Sequence, residues 1–520
     1  MERRDISRRS FFVYGLHSRG WGAKPMINLA NTDDVIERSR ALADSGQIDQ
    51  AITLVRSAIT KQPKDGKLWH MLGILHRTDQ DSAAAIIALE KALDYQPENP
   101  VLHHALARVT MEAGLPAVEK FDEARAFAPN DGSVILGRSA AQMAAGQFDR
   151  AIEDLELILA GNPLWLEGHE LLSEARWTSG DKDGLISSFS RVLKTNPQNG
   201  ALWAKCLDAL LKADRFAEAS QMVDEARNTL GNSRGLIMYD AICASEIGEM
   251  EKASRLFDSL APITEIALAV RHMRHLLRIG HIDLAARVGE SFIQDPEANQ
   301  IWPYLSLAWR AIGDPRWGWL DDQEGLVQIY DLADQIDIAG LAQCLRSVHV
   351  AKADMIGQSV RGGTQTDGPL FARIDPQIRD LRSVIQSTVR THVAGLPPLD
   401  PTHPVLRYRS DIIGFSGSWS VRLTGKGFHT SHIHPMGWFS SAFYVNLPDE
   451  TDMGPPPAGW LALGAAPPEL NLDLPAVQKV EPKPGRLVIF PSIMWHGTVP
   501  FDDGERLSVA FDVATPAMPG

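Results

Sequence analysis

Prolines recur along the first part of the chain at a nearly fixed interval. Pro63 and Pro97 are 34 residues apart, and Pro129, Pro163 and Pro197 follow at 32, 34 and 34. A period of this length means one supersecondary unit copied in tandem, each copy burying its apolar face against the next. Counted from Gly66, the unit places Trp69, Leu72 and Gly73 at positions 4, 7 and 8, Ala85 and Ala92 at 20 and 27, and Pro97 at 32. Small residues at those positions suit two helices that cross closely, because only Ala, Gly or Ser fits the contact.

That pattern is the tetratricopeptide signature. Gly46, Gly114, Gly146, Gly180, Gly248, Gly280 and Gly313 fall where the first helix of each pair should end. About eight pairs are expected, filling residues 32–314 as an all-α solenoid, with a last helix around Trp302 to Ile312 docking onto the next domain. Such arrays present a concave surface suited to an extended peptide or a partner's helix. A protein or peptide partner is therefore expected, a plain scaffold or dimerisation arm being the alternative. The adjacent His103 and His104 face two directions on a helix and read as surface and packing.

After Gly313 the texture changes. Residues 315–520 are expected to form a β domain braced by helices at Ile336–Val350 and Pro376–Ala394. Strands are expected at Leu326–Tyr330, Asp411–Phe415, Trp419–Leu423, Ser440–Asn446, Arg486–Phe490 and Arg506–Asp512. Arg361 to Gly368 reads as a polar glycine-rich loop, and no Gly-Lys-Ser/Thr comes after it to make it a phosphate loop. Pro397 to Pro404 reads as a rigid connector holding a structural His403, and Gly454 to Pro475 as a proline-rich insertion at the barrel rim.

The chemistry gathers in His432-Ile433-His434, answered by His496 and then, ten residues later, by Arg506. On a strand His432 and His434 would point to one side. A third imidazole would complete one face of a metal site, leaving the opposite positions open for a chelating cosubstrate and O2. Arg506, with Ser508 on the same strand face, is suited to holding a carboxylate through charge-assisted bonds. Tyr444 and Ser440 share a strand face and could reach the same carboxylate, and Trp438 could wall the cavity, with core packing the default for all three. His429, three residues before His432, is expected in the approach loop, with ligation the lesser alternative.

Ser418-Trp419-Ser420-Val421-Arg422-Leu423, Gly427, His432-Ile433-His434-Pro435, Gly437-Trp438 and Ser440 to Val445 resemble the 2-oxoglutarate/Fe(II) oxygenases that carry N-terminal tetratricopeptide repeats. So do Gly485, Phe490-Pro491-Ser492, His496, Arg506 and the upstream Arg361 to Thr366. The resemblance runs from roughly Trp317 to Val513. It implies a double-stranded β-helix (jelly roll), iron held by His432, His434 and His496, and 2-oxoglutarate held by Arg506. The activity expected is that of a dioxygenase, with Ser508 and Tyr444 helping Arg506 from the same strand faces, and the attached repeat array points to a protein or peptide side chain as the group hydroxylated. One departure matters: His434 stands where the wider superfamily has Asp or Glu. Three neutral ligands would also suit zinc or nickel, so a non-redox sensor or binding barrel on a repeat scaffold is the alternative.

The formal net charge of −14 argues against a nucleic-acid partner. No apolar run approaches the roughly 20 residues that span a bilayer. Cys206, Cys243 and Cys344 are scattered and odd in number, as in a reducing, cytoplasmic setting. Ser7-Arg8-Arg9-Ser10-Phe11-Phe12 resembles a twin-arginine export signal, but the apolar run behind it is soon broken by His17, Arg19 and Lys24. A disordered extension over residues 1–31, or a start at Met26, is the expectation.

Overall fold

A computed structural model describes residues 31–516, so the export-signal-like stretch lies outside the described residues. Two compact units divide after Leu102. The first holds two helix pairs, α1 (Thr32–Asp44) with α2 (Ile48–Lys61) and α3 (Gly66–Thr78) with α4 (Ser82–Tyr95). Six pairs come next: α5 (Pro100–Glu112) with α6 (Val118–Phe127), α7 (Gly132–Ala144) with α8 (Phe148–Gly161), and α9 (Leu166–Ser179) with α10 (Ser187–Leu193). The last three are α11 (Gly200–Lys212) with α12 (Phe216–Leu230), α13 (Arg234–Ile247) with α14 (Met250–Ser259), and α15 (Ile266–Arg278) with α16 (Ile282–Glu290). The eight pairs match the repeat reading.

The repeat residues do what their spacing requires. Ala51, Ala58, Ala85, Ala92, Ala219 and Ala226 are wholly buried, as helix–helix contacts at alanine distance must be. Where the first helix of a pair ends, Gly46, Gly114 and Gly146 adopt φ values of 77°, 76° and 72°, a left-handed conformation costly for other residues. Gln80 and Asp214 take φ values of 58° and 56° at the turns that lack glycine. The proline–tryptophan spacing has a further cause. The indole N–H groups of Trp69 and Trp203 donate to the carbonyls of Pro63 and Pro197, each at 2.8 Å, and His169 donates to that of Pro163 at 3.0 Å. Each bond ties a helix start to the end of the preceding unit.

Helix α17 (Trp302–Ile312) comes next as expected, then a short α18 (Arg316–Asp321). The β domain contains two antiparallel sheets. The larger has the order β1-β7-β4-β9-β3-β2, from β1 (Gln328–Asp331), β2 (Val360–Gln365), β3 (Phe415–His429), β4 (Gly437–Asn446), β7 (Arg486–Pro491) and β9 (Glu505–Ala514). The smaller has the order β6-β5-β8, from β5 (Leu461–Leu463), β6 (Gln478–Val480) and β8 (His496–Thr498). This is the jelly-roll arrangement, so the fold class stands: an N-terminal α solenoid and a C-terminal double-stranded β-helix.

Period two sorts the large sheet. Phe439, Phe443, Leu487, Ile489, Leu507, Val509 and Phe511 are buried on its outer face. They share a core with α19 (Ile338–Val348) and α20 (Pro376–Ala394), the two predicted bracing helices. Helix α20 contributes Ile378, Leu381, Ile385, Val389 and Val393, spaced as one helical stripe. The same core continues into α15, α16 and α17 through Leu276, Leu305 and Trp309, so it does not stop between residues 314 and 315. Trp495 donates its indole N–H to Pro303 O at 2.9 Å, and Arg310 donates to Gly464 O and Pro475 O at 2.8 and 2.7 Å. Farther up the array, repeat turns meet the segment that precedes β3. Ile374 N–H donates to Ala113 O at 3.2 Å, Lys352 N–H to Thr178 O at 3.1 Å, and Lys182 pairs with Asp354 at 2.8 Å.

Four local expectations need correction. The glycine-rich stretch from Arg361 to Gly368 is not all loop, because 360–365 form edge strand β2 with a register shift between Arg361 and Gly363. A Cβ on Gly363 would lie 2.4 Å from Arg422 O, so the glycine marks a close strand approach. Asp411–Ile413 are not strand, since β9 ends at Ala514, whose N–H makes the last rung to Gly414 O at 2.9 Å. The Gly454–Pro475 insertion supplies β5, the central strand of the small sheet. Finally, His432 and His434 lie outside the named strands. They sit in an extended segment pinned by a His432–His496 backbone bridge and by His434 N–H donating to Ser492 O at 2.9 Å.

Candidate metal and cosubstrate site

The inner face of the large sheet carries Ser440, Ala442 and Tyr444 on β4, Val488 and Phe490 on β7, and Arg506, Ser508 and Asp512 on β9. Register pairs Ser440 with Asp512, Tyr444 with Ser508, and Leu423 with Arg506. The bridge between His432 and His496 closes this face, with N–H···O distances of 2.9 and 3.0 Å in the two directions.

His432, His434 and His496 converge there, each with one ring nitrogen within 4.8 Å of the others. Ring centroids lie 5.0 Å apart for His432–His434, 4.1 Å for His432–His496 and 5.2 Å for His434–His496. Every Nδ1 is engaged: His432 donates to Thr430 O at 2.8 Å, His496 to Met494 O at 2.9 Å, and His434 to Asp512 Oδ2 at 2.9 Å. These bonds commit the three Nδ1 atoms, so Nε2 is the nitrogen that each ring would offer to a metal. Burial and then the neighbouring imidazoles push His432 and His496 well below the ordinary imidazole value, so both are neutral and ready to ligate.

Asp512 was not legible as a site residue, because on a strand it looks like any inward polar residue. Its Oδ1 accepts from Ser440 Oγ at 2.6 Å, and with that proton committed Ser440 Oγ accepts from the Ser492 hydroxyl at 2.9 Å. The structure thus places Ser440 beside Asp512, as a support for that carboxylate. Trp438 takes the core-packing role that is its default: it lies in the outer core and donates its indole N–H to Val405 O at 3.0 Å. The wall beside His434 is Trp419, stacked on it at 5.3 Å with a 3° interplanar angle. His429 stands outside the triad. Its Nδ1 is 3.0 Å from Ser359 Oγ, and its ring stacks on His432 at 5.7 Å.

Arg506 is 3% exposed and Tyr444 is fully buried, the guanidinium lying 5.1 Å from the phenol ring centroid. Arg506 Nη1 donates to Thr498 Oγ1 at 2.9 Å, a contact not foreseen because β8 itself was missed. Arg506 Nε and the Tyr444 hydroxyl have no hydrogen-bond partner of good geometry, their contact with each other being the one loose hydrogen bond and charge–dipole attraction left to them. A buried donor left unpaired costs about 1–3 kcal/mol, and more when charged. An arriving carboxylate would satisfy both, so the residues present fit 2-oxoglutarate beside a three-imidazole metal. Elsewhere, Cys206 and Cys243 are buried and their thiols pushed up to about 12 by burial, as inert packing residues are. His403 is wholly buried, with Nε2–H on Leu320 O at 3.1 Å and Nδ1 accepting from Val405 N–H at 3.0 Å, as a structural residue should be.

Residues 417–512 match the family model described as "Putative 2OG-Fe(II) oxygenase", and residues 36–100 match that for the tetratricopeptide repeat. The chain is 22% identical over 187 residues to the PEX5-related proteins of Mus musculus and Homo sapiens. The match takes 33% of this chain and 33% and 30% of theirs, so it spans about a third of the curated relatives' length. Among solved structures, a tetratricopeptide repeat protein from Parabacteroides merdae aligns with 46% of this chain and 95% of its own, at 19% identity and a TM-score of 0.29. Yeast Tom70 aligns with 57% of this chain and 69% of its own, at 16% identity and a TM-score of 0.36. The chain thus joins tetratricopeptide repeats near its N-terminus to a C-terminal region that matches the 2OG-Fe(II) oxygenase model.

Proposed function

We propose that the chain is an Fe(II)- and 2-oxoglutarate-dependent dioxygenase that hydroxylates a protein or peptide side chain, working in the cytoplasm. In this reading residues 32–314 are the repeat domain and 315–520 the catalytic domain. The observation that carries it is the union of two features on the inner face of the large sheet. Three imidazoles have every Nδ1 committed elsewhere, and beside them is a buried arginine with an unanswered N–H.

His432, His434 and His496 would hold Fe(II) through Nε2. Arg506 would grip the distal carboxylate of 2-oxoglutarate, with Tyr444 and Ser508 completing its hydrogen bonds. When bound, the metal and cosubstrate supply oxidation of an unactivated C–H bond by O2, with 2-oxoglutarate converted to succinate and CO2. The chain's own work is positioning and exclusion of water. Trp419 and Phe490 flank His434 and His496, the latter with ring centroids 4.7 Å apart, and keep the imidazole planes fixed. Asp512 holds the proton on His434 Nδ1 and would offset the charge of a bound metal through that ring, standing behind the residue that takes the place of the wider superfamily's Asp or Glu.

The all-imidazole donor set also supports a second reading, a zinc or nickel site in a binding module. Anaerobic titration of the metal-free protein with Fe(II) and 2-oxoglutarate separates the two. The oxygenase reading expects a weak visible charge-transfer band, and succinate once O2 is admitted. Tight zinc binding with no band and no succinate would support the module.

A further inference from the structure

Helix α15 presents Arg271, Arg274 and Arg278 along one face, and a single buried carboxylate, Glu246 of α13, answers all three. Arg278 is fully used: it pairs with Glu246 at 2.5 Å and donates to Ser245 O and Glu469 O, each at 2.8 Å. Arg274 reaches Glu246 at 3.2 Å and the half-exposed Glu469 at 3.6 Å. Arg271 is left over. Its side chain is only 21% exposed, and its nearest carboxylate contact is Glu246 at 3.9 Å, beyond hydrogen-bond range. Burial and the adjacent Arg274 both pull the Arg271 guanidinium below its ordinary value. Although burial pushes Glu246 upward, the three arginines outweigh it and hold that carboxyl below its ordinary value. An excess of partly desolvated positive charge is unfavourable unless an anion arrives to share it.

Two short chain connections lead from this excess to the candidate metal site. Glu469 lies four residues after Ala465, whose carbonyl accepts the Ser431 hydroxyl at 2.9 Å, and Ser431 adjoins His432. On another side, Arg361 of β2 pairs with Asp214 at 2.9 Å, while its neighbour Val360 is in register with His429. Asp214 acts electrostatically on Arg271 as well, so the two arginines belong to one charged patch. The patch draws on a repeat helix, a repeat turn and a barrel strand, which suits charges strung along a chain better than one small ion.

We propose that this patch receives an acidic segment of the peptide substrate, Arg271 and Arg361 pairing with its carboxylates while a neighbouring residue reaches the three histidines. The substrate role rests on the oxygenase reading; recognition of the acidic peptide does not. With a chain net charge of −14, the attraction must be local and therefore salt-sensitive.

The test is fluorescence anisotropy of the full chain with fluorescein-labelled octaglutamate, with octaglutamine as control, at about 50 and about 300 mM salt. Octaglutamate should bind and weaken with salt, and Arg271→Gln should weaken it about tenfold, the loss of one charge-assisted contact. Arg271→Lys should fall between. Equal binding of the two peptides, or no effect of Arg271→Gln in a variant with wild-type circular dichroism, overturns the proposal. Peptide-free succinate formation is measured in parallel and should be the same in Arg271→Gln and wild type. If wild type forms none while octaglutamate still binds through Arg271, the substrate role is overturned and the acidic-peptide site alone survives.

Discussion

His434 donates its Nδ1 proton to Asp512 across 2.9 Å, so a carboxylate stands directly behind one of the three converging imidazoles. The bond accounts for how three neutral donors could still present a partly compensated charge to a divalent metal. Asp512→Asn keeps the shape but removes the charge and allows the wrong amide orientation. Metal affinity should fall by about 10–100-fold, the usual cost of losing such a partner. Competition with a chromogenic chelator under anaerobic conditions reads this directly, and unchanged affinity would remove Asp512 from the account.

The triad and its neighbour His429 make opposite predictions. Metal content after reconstitution should be lost in His432→Ala, His434→Ala and His496→Ala, whose rings converge. His429→Ala should retain one equivalent, because its Nδ1 is committed to Ser359 and it stands outside the converging set. Loss of metal in His429→Ala, with the fold intact, would reassign the ligands.

Arg506→Ala should raise the 2-oxoglutarate concentration needed for half-maximal charge-transfer absorbance by about 10–100-fold, as expected for charge-assisted bonds worth roughly 1.5–3 kcal/mol. Metal content should stay near wild type. Tyr444→Phe should give a smaller rise, about tenfold or less, since one neutral hydroxyl is at stake. Loss of metal in Arg506→Ala would mean that its role is structural.

Acid should weaken the fold through histidines remote from the metal. Burial pulls His392 and His403 from 6.5 to about 4. An unfolded chain therefore takes up protons between those values that the folded chain refuses, so stability is full above pH 6.5 and declines as pH falls towards 4. For His392 alone the loss is on the order of 3 kcal/mol at the acid end. His392 is 2% exposed and meets Phe439 edge-on. His392→Phe should flatten the slope of melting temperature against pH over that window, and an unchanged slope would contradict the assignment.

What the sequence disclosed, and what it withheld, divides along the range of the forces involved. The repeat was legible because each unit is held by contacts within about 35 residues, and period, alanines and glycines all report on one local geometry. The convergence of His432, His434 and His496 was legible because imidazoles are chemically rare on a barrel wall. Strand β2 was not, because Gly362 and Gly363 look like a loop until Arg422 O is seen at 2.4 Å from where a Cβ on Gly363 would stand. Asp512 and Thr498 were hidden for the opposite reason. Their partners, His434 and Arg506, are fixed only once β8 and β9 are paired in space. His432 and His434 do point together, but through a two-residue backbone bridge to His496, not through a regular strand.

The core that runs unbroken from Leu276 through Trp309 to Phe511 bears on how this protein can be divided. The repeat pattern ends near Gly313, yet cutting there would bare the binding partners of Trp495 and strip α20 and the large sheet of the helices they rest on. A fragment starting at residue 315 should precipitate or remain unfolded, whereas one starting near His103 should express as a monodisperse species. Recombination of this barrel with a foreign repeat array would then demand a matched set of final repeats, so the last repeats and the barrel should be inherited as a single cassette.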